Sequence, residues 1–319
     1  MDGSANRTPA RLDPRKFNDP ALTAAGERRA SVALDRLTTL WFNTGTLCNL
    51  TCRNCYIESS PVNDRLSYLA LDEMRGYLDE IAEDGLATTE IGFTGGEPFM
   101  NPEFADMLAL TLERGFRTLV LTNAMRPMMR LADWICQLDR RYPGRLVIRV
   151  SLDHYDAELH EAERGARSWR PTLDGLCWLA GEGIDVHVAG RTCWHEAEDD
   201  MRAGYARLFE ANGIAIDAFD PAALVLFPEM DADADVAEIT EACWSILGVE
   251  PSSMMCATSR MVVKRKGEAL PVVVPCTLLP YDTRFDLGHR LADSGGAVPL
   301  NHPHCARFCV LGGGSCGAA

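Results

Sequence analysis

No run in this sequence approaches the roughly eighteen consecutive apolar residues that a membrane helix needs. Residues 1–13 are polar and lack the apolar centre of a secretory signal. Basic charge is in short supply: 31 Lys and Arg stand against 46 Asp and Glu, a formal net charge of −15 over 319 residues. A phosphate backbone meets a repulsive average field from such a chain, which argues against nucleic acid as a partner. Internal repeats and low-complexity tracts are also missing, which excludes solenoids and disordered linkers. These absences describe a soluble cytoplasmic protein with neither a membrane nor a nucleic-acid partner. The 12 cysteines, about 4% of residues, fall well short of a disulfide scaffold.

What is present is a globular composition, 47% hydrophobic and 24% charged, enough for one large domain with a smaller appendage. Residues 1–36 mix Arg, Pro, Asp and Ala without a sustained period and read as an N-terminal arm that packs loosely or caps the domain. Strand-like and helical patterns then alternate. Strands are expected at residues 38–43, 90–94, 118–123, 146–153 and 184–191 and within 214–227, with helices between them. Six strands separated by helices call for a parallel sheet with right-handed crossovers: an α/β fold, a partial (β/α)6 TIM-like barrel over residues 37–235. The Asp-rich stretch 231–235 reads as a solvated helix start. Residues 250–319 form a small Cys-rich C-terminal domain, with a hairpin around Gly267 and so little core that a metal staple is needed.

The cysteines are unevenly placed. Cys136, Cys177, Cys193 and Cys243 are scattered among apolar neighbours and read as small buried hydrophobes. Cys48, Cys52 and Cys55 stand in a CxxxCxxC spacing after the first strand. Three thiolates there can hold three irons of a cubic cluster, whereas a 4Fe-4S cluster normally takes four cysteines. The missing ligand leaves one iron open to chelation by the amine and carboxylate of a small molecule. A zinc knuckle would want a fourth protein ligand nearby, and the flanks offer no His.

This motif, together with segments downstream of it in the chain, resembles the radical S-adenosylmethionine enzymes. The resemblance implies a 4Fe-4S cluster on Cys48, Cys52 and Cys55 whose open iron binds S-adenosylmethionine. Electron transfer then cleaves the sulfonium to methionine and a 5′-deoxyadenosyl radical, which takes a hydrogen atom from the substrate. A reductant such as flavodoxin or ferredoxin is implied as a partner. Tyr56, after the third cysteine, is placed near the adenine. The segment Thr94-Gly95-Gly96-Glu97-Pro98 resembles the family's GGE element, which binds the cofactor's amino group; Glu97 is the acid that would receive an ammonium. Asn123 ends a segment similar to the family's Thr-Asn-Gly, with Ala124 in the glycine's place, and Ser151 matches the serine that contacts the ribose. Arg191, closing the fifth strand, suits a carboxylate of cofactor or substrate. Asp153, His154 and Arg191 are the candidates for direct roles in the reaction, and His187 is a weaker substrate contact.

Cys256, Cys276, Cys305, Cys309 and Cys316 form a second group that looks like the auxiliary-cluster extensions called twitch and SPASM domains. Five cysteines support one further 4Fe-4S cluster, on Cys256, Cys276, Cys309 and either Cys316 or Cys305. Structural zinc, with His302 and His304 as extra ligands, is the alternative. The resulting expectation is hydrogen abstraction from an unidentified substrate, in a small-molecule oxidation or tailoring step. Maturation of a ribosomally made peptide is the alternative, although no winged-helix peptide-recognition module is visible ahead of the barrel. Outside enzymes, the rival is a zinc-binding interaction protein.

Overall fold

A computed structural model describes residues 10–228 and 230–313. After a short strand β1 (Ser31–Val32), the chain runs β2 (Thr39–Asn43), α1 (Leu71–Glu83), β3 (Glu90–Thr94), α2 (Phe104–Glu113), β4 (Arg117–Thr122), α3 (Arg126–Met129) and α4 (Ala132–Arg141). It continues through β5 (Leu146–Ser151), α5 (Ala157–Arg164), α6 (Trp169–Gly181), β6 (Asp185–Arg191), α7 (Glu198–Ala211) and β7 (Leu224–Phe227). Strands β2 to β7 are parallel and lie side by side in sequence order. Each helical crossover returns the chain one strand further along, which builds the expected partial barrel.

Strand alternation divides the apolar residues between two cores. Leu40, Phe42, Ile91, Phe93, Val120, Ile148 and Val150 pack under the helices, against residues such as Met74, Leu78, Leu108 and Leu176. Met74, Leu78 and Ile81 recur at helical spacing and are all buried, so α1 lays one stripe on the sheet. Trp41, Leu119 and Val147 point to the other face and enter a second core.

The chain ends with α8 (Cys243–Leu247), α9 (Met255–Thr258), β8 (Ser259–Val263), β9 (Val272–Val274) and β10 (Val298–Pro299). The hairpin forms as expected, with Met261 opposite Val274. It does not stand apart from the barrel. Strand β8 runs parallel to β2, Thr39 opposite Ser259, so the sheet has eight strands in the order β7-β6-β5-β4-β3-β2-β8-β9. The expectation of a core-poor tail is corrected here: Met254, Met261, Val263, Val274, Leu278, Leu279 and Phe308 are buried in the same cluster as Trp41, Leu119 and Val147. These residues come from short strands and loops, whose apolar positions carry too little periodicity to announce a core.

Two other expectations change. Residues 231–235 form bends and a bridge between Ala234 and Arg11, not a helix start. The N-terminal arm caps the fold: β1 pairs with β10, and buried Arg29 forms an ion pair of 2.5 Å with Glu238 while donating to the Leu300 carbonyl. Among the described residues no helix is long and apolar enough to cross a membrane.

Candidate active site and metal centres

Parallel strands bring all their C-terminal ends to one side, where the following loops meet. They enclose a cavity with about 1040 Å³ of empty space, part of it open to solvent. Cys48, Cys52, Cys55 and Tyr56 reach it from the loop after β2, Gly95 and Gly96 from the end of β3, and Asn123 from the end of β4. Ser151 lines it from the end of β5, Asp153 from two residues beyond, and Arg191 from the end of β6.

Backbone geometry explains several of these residue types. Gly95 has φ +134°, and a Cβ there would lie 2.5 Å from the Gly45 carbonyl oxygen. A Cβ at Gly96 would lie 2.1 Å from the Leu47 carbonyl oxygen, so the turn packs directly on the cysteine loop only without side chains. Ala124 adopts φ +57°, the left-handed backbone that a glycine favours, so the chain keeps the conformation of Thr-Asn-Gly although the residue differs.

The cysteine loop is held by groups distant in sequence. The Glu163 carboxylate, at the end of α5, accepts from the Asn54 backbone N–H (2.8 Å) and side-chain amide (2.9 Å). Arg191 Nη1 donates to the Asn54 carbonyl at 2.9 Å. Arg164 makes a bidentate pair with Asp153, at 2.8 and 3.0 Å, and places its charge near Cys52 and Cys48. Asp153 is thus committed to a structural ion pair at the cavity wall. Replacing Glu163 with alanine leaves two donors of half-buried Asn54 without their acceptor, at about 1 kcal/mol each. Loss of iron from the first site after gel filtration, with partial rescue by Glu163→Gln, is expected; full retention by the alanine variant would show that the clamp is dispensable.

Burial pushes the Cys48 thiol up to about 12 and Cys52 up to about 11, the latter opposed by Arg164. Without metal these side chains are neutral thiols at pH 7, and ligation must displace their protons. Since the thiolate is the nucleophile, iodoacetamide alkylation of Cys48 and Cys52 in apoprotein should rise about tenfold per pH unit from pH 7 to 9, with no plateau. Peptide mass spectrometry of the quenched samples checks this; a plateau near pH 8 would place the thiols below the free-cysteine range.

Three expected site residues lie elsewhere. Glu97 is fully buried behind the lining, where its carboxylate accepts from the Thr122 hydroxyl (2.8 Å) and the Asn123 backbone N–H (2.9 Å). Burial raises it to about 7, against the pull of these donors. It braces the Gly95-Gly96 turn against the end of β4 instead of presenting its carboxylate to the cavity. His154 is buried between Tyr155 and Trp194, with Nε2 3.1 Å from Glu196 and Nδ1 accepting from the Asp156 N–H. It is absent from the cavity wall, because the chain turns away after Asp153. His187 stands opposite Arg149 in the β5–β6 register. Inward positions on β6 are alternate residues, so Ala189 and Arg191 reach the cavity and His187 lies below them.

A second, smaller cavity is lined by Cys256, Cys276, Cys305, Cys309 and His304. Four of the five C-terminal cysteines therefore converge, Cys305 among them; Cys316 lies outside the described residues. Cys305 and Cys309 share a π-helical turn, Cys305–Val310, which brings residues four apart onto one side. Burial raises Cys305 to about 12 and Cys256 to about 11. Behind Cys256, the Arg260 guanidinium is held by the carbonyls of Cys256 (2.6 Å), Ser259 (2.8 Å) and Ser294 (2.9 Å), a fixed cation that favours an anionic centre. His304 lines this cavity, its Nδ1 without a partner among the described residues, and is driven neutral by burial, down to about 4; His302 is not part of the lining. Among the described residues no three His, Cys, Asp or Glu side chains are drawn together as a single-ion site. Of the scattered cysteines only Cys136 is buried; Cys177, Cys193 and Cys243 are half-buried, contrary to the uniform expectation.

Sequence reasoning did not find Asn54, Glu163, Arg164 or Leu278. Asn54 stood inside the cysteine motif and Leu278 two residues after Cys276, but the other two come from α5, a distant element.

The family model for the radical SAM superfamily matches residues 42–209, more than half of the chain. The chain belongs to the radical SAM superfamily. As in that superfamily, its cofactors are a 4Fe-4S cluster and S-adenosylmethionine. The antilisterial bacteriocin subtilosin biosynthesis protein AlbA of Bacillus subtilis strain 168 is 27% identical over 277 residues, which cover 80% of this chain and 58% of AlbA. Streptococcus suis SuiB bound to S-adenosylmethionine superposes with a TM-score of 0.58 at 12% identity, covering 80% of this chain and 63% of SuiB. SuiB bound to the precursor peptide SuiA gives 0.56 at 13% identity, over 77% and 61% of the two chains. This radical SAM chain thus spans about six-tenths of the length of these relatives, and the structural likeness establishes the shared fold.

The residues fit the cofactors. Three thiols open onto one cavity, and the buried Nε and Nη2 of Arg191 have no partner among the described residues. Buried guanidinium donors without acceptors at a cavity wall suit an anionic group such as a carboxylate.

Proposed function

We propose that this chain is a peptide-modifying radical SAM enzyme that carries its S-adenosylmethionine-binding cluster on Cys48, Cys52 and Cys55. An auxiliary cluster sits on Cys256, Cys276, Cys305 and Cys309, with residues 37–235 as the catalytic barrel and 250–319 as the auxiliary-cluster region. The observation that carries this reading is the shared wall between the cavities: Leu278 lines both. With the cofactors bound, the first site supplies one-electron chemistry that opens the reaction with hydrogen-atom abstraction. The chain's own residues prepare that event. Glu163 and Arg191 fix Asn54 and with it the cysteine loop, the Gly95-Gly96 turn packs against that loop and lines the cavity, and Arg191 offers two donors to a carboxylate. Ser151, Asn123 and Tyr56 complete the cofactor wall, and the Arg164–Asp153 pair sets the charge beside the thiols.

The peptide reading is supported by AlbA, whose similarity extends over four-fifths of this chain, and by the fold shared with SuiB, which was determined with a precursor peptide bound. Cys256, Cys276, Cys305 and Cys309 would hold a second cluster across Leu278, which would supply one-electron redox capacity suited to a net oxidation. An electron donor of the flavodoxin or ferredoxin kind is required for the first site. Anaerobic protein incubated with reductant and S-adenosylmethionine should release 5′-deoxyadenosine, and none at all would refute the assignment. Deuterium carried into that product from perdeuterated peptides, and not from perdeuterated small metabolites, is the expected result; the reverse would restore the small-molecule oxidation.

A further inference from the structure

The cavity has two chemically different sides. Thiols, glycine backbone, Ser151, Asp153 and Arg191 come from the ends of the first five barrel strands and their loops, interspersed with Ile57, Leu121 and Ala189, and Arg164 reaches the same side from the end of α5. Opposite them, β7 and the C-terminal region contribute Phe227, Met230, Leu278 and Phe308, and no charged side chain among the described residues. The Phe227 and Phe308 rings pack together at 5.5 Å between centroids, so these two form one apolar surface on this wall. Leu278 in it also borders the second cysteine cavity. A charged group seated there would lose its water without gaining a partner, whereas a hydrocarbon group would exchange water for dispersion contacts.

We propose that the hydrogen donor is an uncharged hydrocarbon side chain of a peptide, aliphatic or aromatic, seated against Phe227, Met230, Leu278 and Phe308. This rests on reading the cavity as the radical SAM site. In the transfer, a C–H bond of that side chain breaks and a C–H bond forms at the 5′ carbon of the adenosyl fragment released when S-adenosylmethionine accepts one electron from the reductant. One hydrogen atom, a proton with one electron, moves, and one unpaired electron remains on the side-chain carbon.

The test uses anaerobic holoprotein with dithionite, S-adenosylmethionine and four capped peptides, acetyl-Gly-Ser-X-Ser-Gly-amide. X is Leu, Phe, Lys or Asp, deuterated throughout its side chain. Deuterium in 5′-deoxyadenosine should be at least roughly tenfold higher from Leu or Phe than from Lys or Asp, the scale of discrimination an apolar pocket provides. Met230→Lys, at a half-buried position, should lower transfer from Leu and raise transfer from Asp, while Met230→Leu should preserve the original order. Equal or greater transfer from Lys or Asp to wild type, or unlabelled 5′-deoxyadenosine with all four peptides, would overturn the proposal while leaving the radical SAM assignment intact. Absence of 5′-deoxyadenosine altogether would remove the assignment and this proposal with it.

Discussion

Replacing Cys48, Cys52 and Cys55 together with alanine reduces 5′-deoxyadenosine formation to background, while the second cysteine site keeps its metal. The expectation is this severe because the three thiols are the only cysteines on the main cavity among the described residues. Among the described residues no His lines that cavity as a substitute, and iron-sulfur clusters depend on thiolate ligation. Folding should survive, since none of the three cysteines belongs to either apolar core and Glu163 still anchors Asn54. Anaerobic product analysis alongside iron determination reads both effects at once. Undiminished cleavage of S-adenosylmethionine by the triple variant would place the reactive cluster elsewhere and dismantle the functional proposal.

The second large effect is expected from Cys256→Ser combined with Cys276→Ser. Wild-type protein prepared anaerobically should contain about eight irons per chain, and the double variant about four, in keeping with one cubic cluster at each site. Metal ligation contributes folding free energy, so the melting temperature should fall. The fold should nevertheless persist beyond residue 250, because β8 is hydrogen-bonded alongside β2 and its side chains share a core with Trp41. Protease sensitivity should therefore concentrate near the π-helical turn that carries Cys305 and Cys309, and not spread through the whole C-terminal region. Cleavage within β8 or β9 would show that the metal holds the hairpin as well. About four irons and one zinc in the wild type would make the second site structural zinc, with His304 as an available neutral ligand, and would leave the first site unaffected.

Local patterns carried much of this protein. The CxxxCxxC spacing, the Gly95-Gly96 pair and the alternation of six strands with helices are short-range features, and each survives intact in the structure. They were legible because strand period, helical period and ligand spacing are written within a few residues. The residues at strand ends, Asn123, Ser151 and Arg191, were legible for a related reason: a parallel barrel must gather its C-terminal ends on one side. Tertiary structure decided where short-range rules stop. His154 and His187 are chemically suitable and close in sequence to the site, yet one loop turn and one layer of the barrel exclude them from it. Glu97 belongs to the right motif, but its carboxylate is engaged by Thr122 and Asn123. The clamp on Asn54 joins residues more than a hundred positions apart, and β8 pairs with a strand more than two hundred positions earlier. Such contacts depend on which surfaces remain unburied after the local elements form, and that is settled only when the whole sheet closes around its two cores.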